Sequence, residues 1–397
     1  MKTLLQLFLA FCMLSALAFD WQEKSVASVK TDLIKYSQKR AAEVPLLAND
    51  LNSFISRIES PNSKWMPETI KFAEQLLARS KSKDAYDPHR MTALRLIDFP
   101  LHVNNYDKNI APTDLEQYKL TVIDFASRNR DKALSEVQRA YVSSNELKLW
   151  KLYNMGFIVK GPRTTVGIDI NCGPFVHMTT GSKTKFVWSP KDIERLADLL
   201  DVLIITHLHG DHYSSGLVIE MLKRKKTVIL PNQVKLFGEW ANKIKQAPYK
   251  DNCIILNKDC TEPLELKGLK IWNFMGNQGV PCNVYLIELN GVRIAHNGDN
   301  SDTSKEAKLA TLPPADVIIG STWNHIQSFV ASCSKAPGFD KNKAVLIPAH
   351  ENEQGHSVGH RESYREMYER GDRLNNKKFA WPQIWALAWG ESITIKK

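Results

Sequence analysis

Residues 206–216 read THLHGDHYSSG and place His207, His209, Asp211 and His212 within six consecutive positions. The chain of 397 residues holds only 11 histidines, so this crowding asks for a chemical reason. Neutral imidazole nitrogen and carboxylate oxygen are good donors to zinc and other borderline divalent cations. His207 and His209, two apart, point the same way from an extended segment, and Asp211 and His212 then turn toward a neighbouring position. Such a loop makes one wall of a metal cage. The other walls must arrive from elsewhere in the chain.

From about residue 148 onward, short apolar runs alternate with helical stretches, among them NMGFIVKG, TTVGIDIN, DVLIITH, TVILPN, NCIIL, LKIWNF, NVYLIEL, VRIAHNGD, ADVIIGS and AVLIPAH. Most are apolar throughout, as strands covered on both faces are, so the pattern predicts a layered α/β sandwich. Several run into a potential ligand: TTVGI into Asp169, DVLIIT into His207, VRIAHNG into Asp299, AVLIPA into His350. Strand ends gathered on one rim bring together residues far apart in sequence, and rigid strands hold a coordination sphere accurately. Asn290-Gly291 predicts a tight hairpin, and SSGLVIEML predicts a helix directly after the histidines. Before residue 148 the period is helical, with Val26, Val29 and Leu33 on one face and Leu47, Leu51, Phe54, Ile55 and Ile58 on another. Thr113 with Glu116 predicts a capping box opening the helix LEQYKLTVIDFA. No chemistry is visible there; His89 and His102 stand alone and read as structural.

The ordered set of Asp169, the H-x-H-x-D-H core at His207, His209, Asp211 and His212, then Gly298-Asp299 and His350, resembles the metallo-β-lactamase superfamily over residues 148–397. LYNMGFIVK and VGIDI are similar to the branch that includes ascorbate-phosphate lactonases and N-acylphosphatidylethanolamine phospholipase D. The resemblance implies an αββα sandwich with a metal site at one edge, here preceded by an α-helical region at residues 19–147. It implies one metal position on His207, His209 and a third histidine, a second on Asp211, His212 and His350, and Asp299 as the bridge. Asp211 and Asp169 are the candidate catalytic carboxylates, Asp169 by orienting the histidine loop. Catalysis in the family uses metal-bound hydroxide as nucleophile while the metals polarise a scissile carbonyl or phosphoryl group. The expected cofactor is zinc, as one or two ions, with manganese or iron as alternatives.

The chain departs from this pattern where the third histidine belongs, since no histidine occurs between 213 and 295. Its place is IWNFMGNQGVPCN, which offers Asn277, Gln278 or Cys282 as a replacement. A Cys282 thiolate would be a good zinc donor and the amides poor ones. The alternative, favoured here, is that the first position is weakened and one ion remains on Asp211, His212, Asp299 and His350. His296 reads as packing support for the strand leading to Asp299. Trp323, His325, His356 and His360 are candidate substrate-pocket residues, the last two on a loop marked by Gly355 and Gly359.

The formal charge of +10 is modest for this length, and its densest run, Lys223 to Lys226, falls where a helix should end. Cations are favoured there by the helix dipole, and no aromatic residues interleave with basic ones, so a nucleic-acid partner is not expected. Lys2, an apolar run and Ala16-Leu17-Ala18 have the layout of a signal peptide over residues 1–18, which predicts export to a periplasm or the exterior. No later stretch is long and apolar enough to cross a bilayer. Cleavage would leave five cysteines, of which Cys253 and Cys260 either form one bridge or stay as free thiols. The expectation is an exported metal-dependent hydrolase acting on an ester, lactone or phosphodiester of a small-molecule or lipid-like substrate. The alternative is a non-catalytic metal- or ligand-binding protein on the same fold with a degraded site.

Overall fold

The computed structural model describes residues 25–104, 109–173, 175–176, 183–184, 188–232, 240–246, 248–321, 326–356, 361–366 and 382–397. The leader at residues 1–18 and the pocket candidates Trp323, His325 and His360 lie outside them.

Among the described residues five helices come first: α1 (Val26–Glu43), α2 (Pro45–Glu59), α3 (Trp65–Arg79), α4 (Pro88–Leu101) and α5 (Pro112–Arg139). Asp87 caps α4, its carboxylate accepting from the His89 and Arg90 N–H groups at 3.0 Å each. The predicted capping box of α5 is absent. The helix begins at Pro112 with Ala111 before it, and no side chain caps it. Proline's fixed φ suits the first helical position, so the helix starts early and takes Thr113 into its first turn.

Two seven-stranded sheets form the rest of the framework. The first runs in the order β16 (Ser392–Lys396), β1 (Glu146–Lys151), β2 (Phe157–Lys160), β3 (Thr165–Ile168), β6 (Val202–Ile204), β7 (Thr227–Pro231), β8 (Cys253–Leu256). The second runs β15 (Gln383–Ile384), β14 (Val345–Ala349), β13 (Val317–Ser321), β12 (Val292–His296), β11 (Pro281–Leu289), β10 (Leu269–Asn277), β9 (Cys260–Leu266). A separate small ladder joins β4 (Phe175–Val176) and β5 (Lys183–Thr184). Strand β1 begins at Glu146, so the sandwich starts slightly before the predicted boundary at 148. Strand β9 had no apolar run to announce it: CTEPLEL is broken up by Thr261, Glu262 and Glu265 and carries a proline, as befits an edge strand. Asn290 and Gly291 turn the β11–β12 hairpin with φ of 55° and 76°, the left-handed pair a tight two-residue turn requires.

Alternation along the second sheet sorts its side chains into two layers. Ile271, Tyr285, Ile287, Ile294, Val317, Ile319 and Ile347 face the first sheet, where they meet Phe157, Ile168, Ile204 and Ile229. Trp272, Phe274, Leu286, Ile318 and Leu346 point outward into a single apolar core shared with Leu33, Phe54, Ile70, Leu94 and Ile97 of the N-terminal helices and Phe329 of α10 (Ile326–Ser334). On the far side, α6 (Pro190–Leu199) and α7 (Ser215–Lys223) cover the first sheet through Leu196, Leu217 and Met221. The architecture is an αββα sandwich, and the N-terminal helices supply most of one outer layer. Helix α5 straddles the seam, with Tyr118, Val122 and Phe125 in the layer on the second sheet and Ala133, Leu134 and Val137 in that on the first. Short helices α8 (Trp240–Ile244) and α9 (Thr303–Glu306) complete the described elements relevant here.

The basic run after α7 is absorbed locally. Lys223 pairs with Glu220 at 2.8 Å, Arg224 with Asp198 at 2.7 Å, and Lys226 donates to the Asp198 carbonyl at 2.6 Å. All five described cysteines, Cys253 and Cys260 included, are free thiols. Among the described residues no helix is long and apolar enough to cross a membrane.

Each sheet is antiparallel in one half and parallel in the other: β3, β6, β7 and β8 run together, as do β12, β13, β14 and β15. In α/β sheets, ligands bind beyond the carboxyl ends of parallel strands. Beyond β3 comes Asp169, beyond β6 the histidine loop, beyond β12 Asp299 and beyond β14 His350.

Candidate metal centre

Asp211, His212, Asp299 and His350 each present one ligand atom, and these four atoms lie within 4.8 Å of one another. His350 Nε2 is 3.1 Å from Oδ2 of Asp211 and 3.1 Å from Oδ2 of Asp299. His212 Nε2 is 3.5 Å and 3.3 Å from the same two oxygens. A tetrahedral zinc with bonds of about 2.1 Å spaces its ligands about 3.4 Å apart. Donor types and spacing both fit a divalent cation.

Asp169 governs the orientation of the loop. Its Oδ1 accepts from the Thr206 N–H at 2.7 Å, and its Oδ2 accepts from the Thr206 hydroxyl at 2.6 Å and from His212 Nδ1 at 3.0 Å. With Nδ1–H so engaged, His212 turns Nε2 toward Asp211 and Asp299. Both Asp169 oxygens are engaged and the residue is fully buried beneath the loop. The Thr206 hydroxyl, having given its proton to Asp169, accepts from His207 Nδ1 at 3.1 Å, and His207 Nε2 is left buried with no hydrogen-bond partner among the described residues. Two asparagines hold the loop's backbone: Asn154 Nδ2 donates to the Asp211 carbonyl at 3.0 Å and Asn171 Nδ2 to the Gly210 carbonyl at 2.9 Å.

The backbone is strained where the ligands emerge. Asp169 has φ of 45° and His350 of 82°, in the left-handed region that costs a residue with a Cβ roughly 1–3 kcal/mol. Gly298 has φ of 51°, and a Cβ there would lie 2.5 Å from Thr206 Oγ1. Only glycine lets the chain pass that hydroxyl and turn Asp299 inward. His296 supports the same turn, its Nδ1 accepting from the Gly298 N–H at 3.0 Å.

Charge divides the cluster from its neighbours. Burial works against a proton on His212, but Asp299, Asp211 and the Asp169 hydrogen bond outweigh it and push the pKa up to about 10. His350 is likewise raised well above the ordinary imidazole value, burial being overcome by Asp299 and Asp211. For Asp211 and Asp299 burial acts upward, yet the two imidazoles hold both carboxyls well below their usual range. His207 behaves oppositely: burial and the nearby His212 push it down to about 3.

The remaining predicted residues fall around this cluster. His207 packs against His212 with ring centroids 4.0 Å apart and planes tilted by 49°, and meets His209 edge-on at 4.7 Å, but neither His207 nor His209 belongs to the four-donor group. Cys282 is buried beneath Gly298; its thiol faces the Asn297 carbonyl at 3.7 Å and stands outside the group. Burial and the Asp299 charge raise the thiol's pKa well above normal. Asn277 and Gln278 lie at the β10–β11 turn, Asn277 exposed and its N–H donating to Asn300 Oδ1 at 3.0 Å, Gln278 closing the turn on the Val280 carbonyl at 2.8 Å. His356 approaches the cluster, its ring 5.7 Å from that of His350 and its N–H on Glu353 Oε2 at 2.6 Å. Glu353 also accepts from the Tyr153 hydroxyl at 2.9 Å.

Sequence reasoning missed Thr206, Asn154 and Asn171, and it missed what holds the segment after His350. Residues 350–354 are all buried. The N-terminal helices grip this segment and residues 361–365: Asp98 accepts from Asn352 Nδ2 at 3.2 Å and from the N–H groups of Tyr364 and Arg365 at 2.8 and 2.9 Å. Arg361 Nη1 donates to the Leu101 carbonyl at 2.8 Å, and the Tyr118 hydroxyl bonds Gln354. The one available sign was the density of polar residues in HENEQ directly after an apolar strand.

No family model and no curated protein matches the sequence. Among solved structures, the chain is similar to a possible metal-dependent hydrolase from Veillonella parvula, at 16% identity and a TM-score of 0.44, covering 64% of this chain and 99% of that one. It is also similar to Igni18, a novel metallo hydrolase from Ignicoccus hospitalis, at 16% identity and a TM-score of 0.41, covering 64% and 99%. A third is the metallo-β-lactamase fold protein YhfI from Bacillus subtilis, at 11% identity and a TM-score of 0.40, covering 63% and 99%.

Proposed function

We propose that this protein is a metal-dependent hydrolase of the metallo-β-lactamase superfamily, with one divalent cation held by Asp211, His212, Asp299 and His350. The observation that carries the reading is the convergence of those four donor atoms within 4.8 Å from three separate segments of the chain. Two carboxylates and two imidazoles buried against each other contribute little to stability as such, and His350 reaches them through a strained backbone. A cation bound there supplies Lewis acidity toward a carbonyl or phosphoryl oxygen and acidifies the water it binds. The chain's own groups fix the donors: Asp169 keeps the His212 proton on Nδ1, and Asn154 and Asn171 hold the loop carbonyls. Partly exposed His209 and His356 stand beside the cluster, where a substrate would pass.

Zinc suits a mixed nitrogen and oxygen set, with manganese and iron as the competing ions. The substrate classes we propose are esters, lactones and phosphodiesters of small or lipid-like molecules, on the strength of the motif resemblance. Export is proposed from Lys2, the apolar run and Ala16-Leu17-Ala18. The test is metal content by mass spectrometry on the purified chain, then hydrolysis of a generic phosphodiester and a lactone panel with and without chelator. One ion per chain and chelator-sensitive turnover are expected. Turnover indifferent both to chelator and to His350→Ala would overturn the assignment. A second reading, a non-catalytic metal-binding protein on the same sandwich, is favoured by the lack of a third histidine beside His207 and His209. Tight metal binding without turnover on any class would support it.

A further inference from the structure

We propose that Lys151 is a positioning residue of the metal centre, a buried cation that ties the segment carrying Asp211 to the segment carrying His350. The proposal rests on reading the four-donor cluster as a metal centre.

Lys151 ends strand β1 with its side chain 0% exposed. Its ammonium lies 3.2 Å from Oε1 of Glu351, which is also 0% exposed, donates to the backbone carbonyl of Asn154, and sits 4.6 Å from the ring centroid of Phe157. Each polar partner is one step from a ligand. Asn154, at φ of 54°, donates its side-chain amide to the Asp211 carbonyl at 3.0 Å. Glu351 directly follows His350, and its Oε1 also accepts from the Trp389 indole N–H at 3.0 Å. One ammonium therefore fixes the turn that holds the Asp211 loop and neutralises the carboxylate adjoining the strained His350. Trp389 in turn packs on Phe125 of α5 and on Tyr153, with ring centroids 5.6 and 4.9 Å apart.

A buried ion pair is often no more stabilising than apolar side chains of the same volume, so stability alone does not account for this one. Its partners do. Both lead to ligands, and both sit next to, or at, left-handed residues that need outside restraint.

The experiment compares the full-length wild type with Lys151→Met/Glu351→Gln, which removes the pair without stranding a charge, and with Asn154→Gly, which keeps the left-handed backbone and deletes only the amide donor. Zinc affinity is read by competition with a chromogenic chelator, and ligand geometry by the visible spectrum of the cobalt-substituted protein. For the double variant we expect a loss of zinc affinity of roughly 10–100-fold and altered cobalt bands, as for groups that orient metal ligands. For Asn154→Gly we expect a smaller loss with the same sense of spectral change. If the double variant does not fold, Asn154→Gly alone decides. Folded variants that bind zinc as tightly as the wild type with unchanged cobalt bands, even at a lower melting temperature, would overturn the proposal. A wild type that binds no zinc or cobalt would instead overturn the metal-centre reading beneath it.

Discussion

Along one edge of the sandwich, Asp211, His212, Asp299 and His350 converge, while His207 and His209 in the same short loop stay outside the group. The two sides differ in composition and in support. The four-donor side mixes carboxylates with imidazoles, so its charges balance, and the pKa of His212 rises to about 10. The other side has imidazoles alone, and burial pushes His207 to about 3. On the first side Asp169 orients His212 and a glycine passage admits Asp299; on the second, Thr206 orients His207. Density of ligands in sequence is thus a poor guide to density in space. The crowded loop closes a site only where later strand ends supply the counter-charge.

The sharpest way to break this comparison is to remove a late ligand. Asp299→Ala or His350→Ala should leave the purified chain essentially without metal, with affinity reduced beyond the roughly 10–100-fold that loss of an orienting group costs. Metal content after gel filtration decides it. Retention of a full equivalent in both variants would show that the cation sits with His207 and His209 instead. Next in size is Asp169→Asn, which keeps the shape but weakens the acceptor for His212 Nδ1 and Thr206. Zinc affinity should fall by roughly 10–100-fold with the fold retained, measured by competition titration and circular dichroism.

Asp169, His207, Asp299 and His350 stood out because each comes shortly after a strand-forming run rich in apolar residues, and buried parallel strands write themselves that way. What stayed illegible depends on meetings between distant segments. Lys151 in ELKLWK reads as an ordinary exposed lysine until Glu351 arrives from 200 residues downstream. Asn154 and Asn171 look like turn residues, and only the fold shows which carbonyls they hold. The N-terminal helices were legible as helices, through faces such as Leu47, Leu51 and Phe54, but not as the outer layer of the second sheet. Their hold on the segment after His350 runs through Asp98 and Tyr118, neither of which sits in any motif.

Proton competition sharpens the charge side of the comparison. In the metal-free protein the folded pKa of His212, about 10, lies above its ordinary value of 6.5. Its proton's contribution to stability is therefore fully present below 6.5 and fades as pH rises through 10. A cation must displace that proton, so zinc affinity should rise with pH by up to about tenfold per unit for each proton released. Isothermal titration in buffers of different ionisation enthalpy, at about pH 6, 7 and 8, counts the protons. Binding with no proton release would show that the imidazoles are already neutral and that the carboxylates do not govern them.

The smallest effect is expected on the other side of the edge. His209 is partly exposed, lies outside the four-donor group and is lowered in pKa by burial. His209→Ala should leave one metal per chain and change zinc affinity by less than about threefold, below the effect of an orienting group. Cys282→Ser should likewise leave occupancy unchanged, because the thiol is held protonated against the Asn297 carbonyl. Metal content under saturating zinc reads both variants against the wild type. Were the wild type to carry two ions and either variant one, the two sides would be equals. The missing histidine would then have been replaced through a rearrangement of the β10–β11 turn that brings Cys282 or its neighbours to the His207 side.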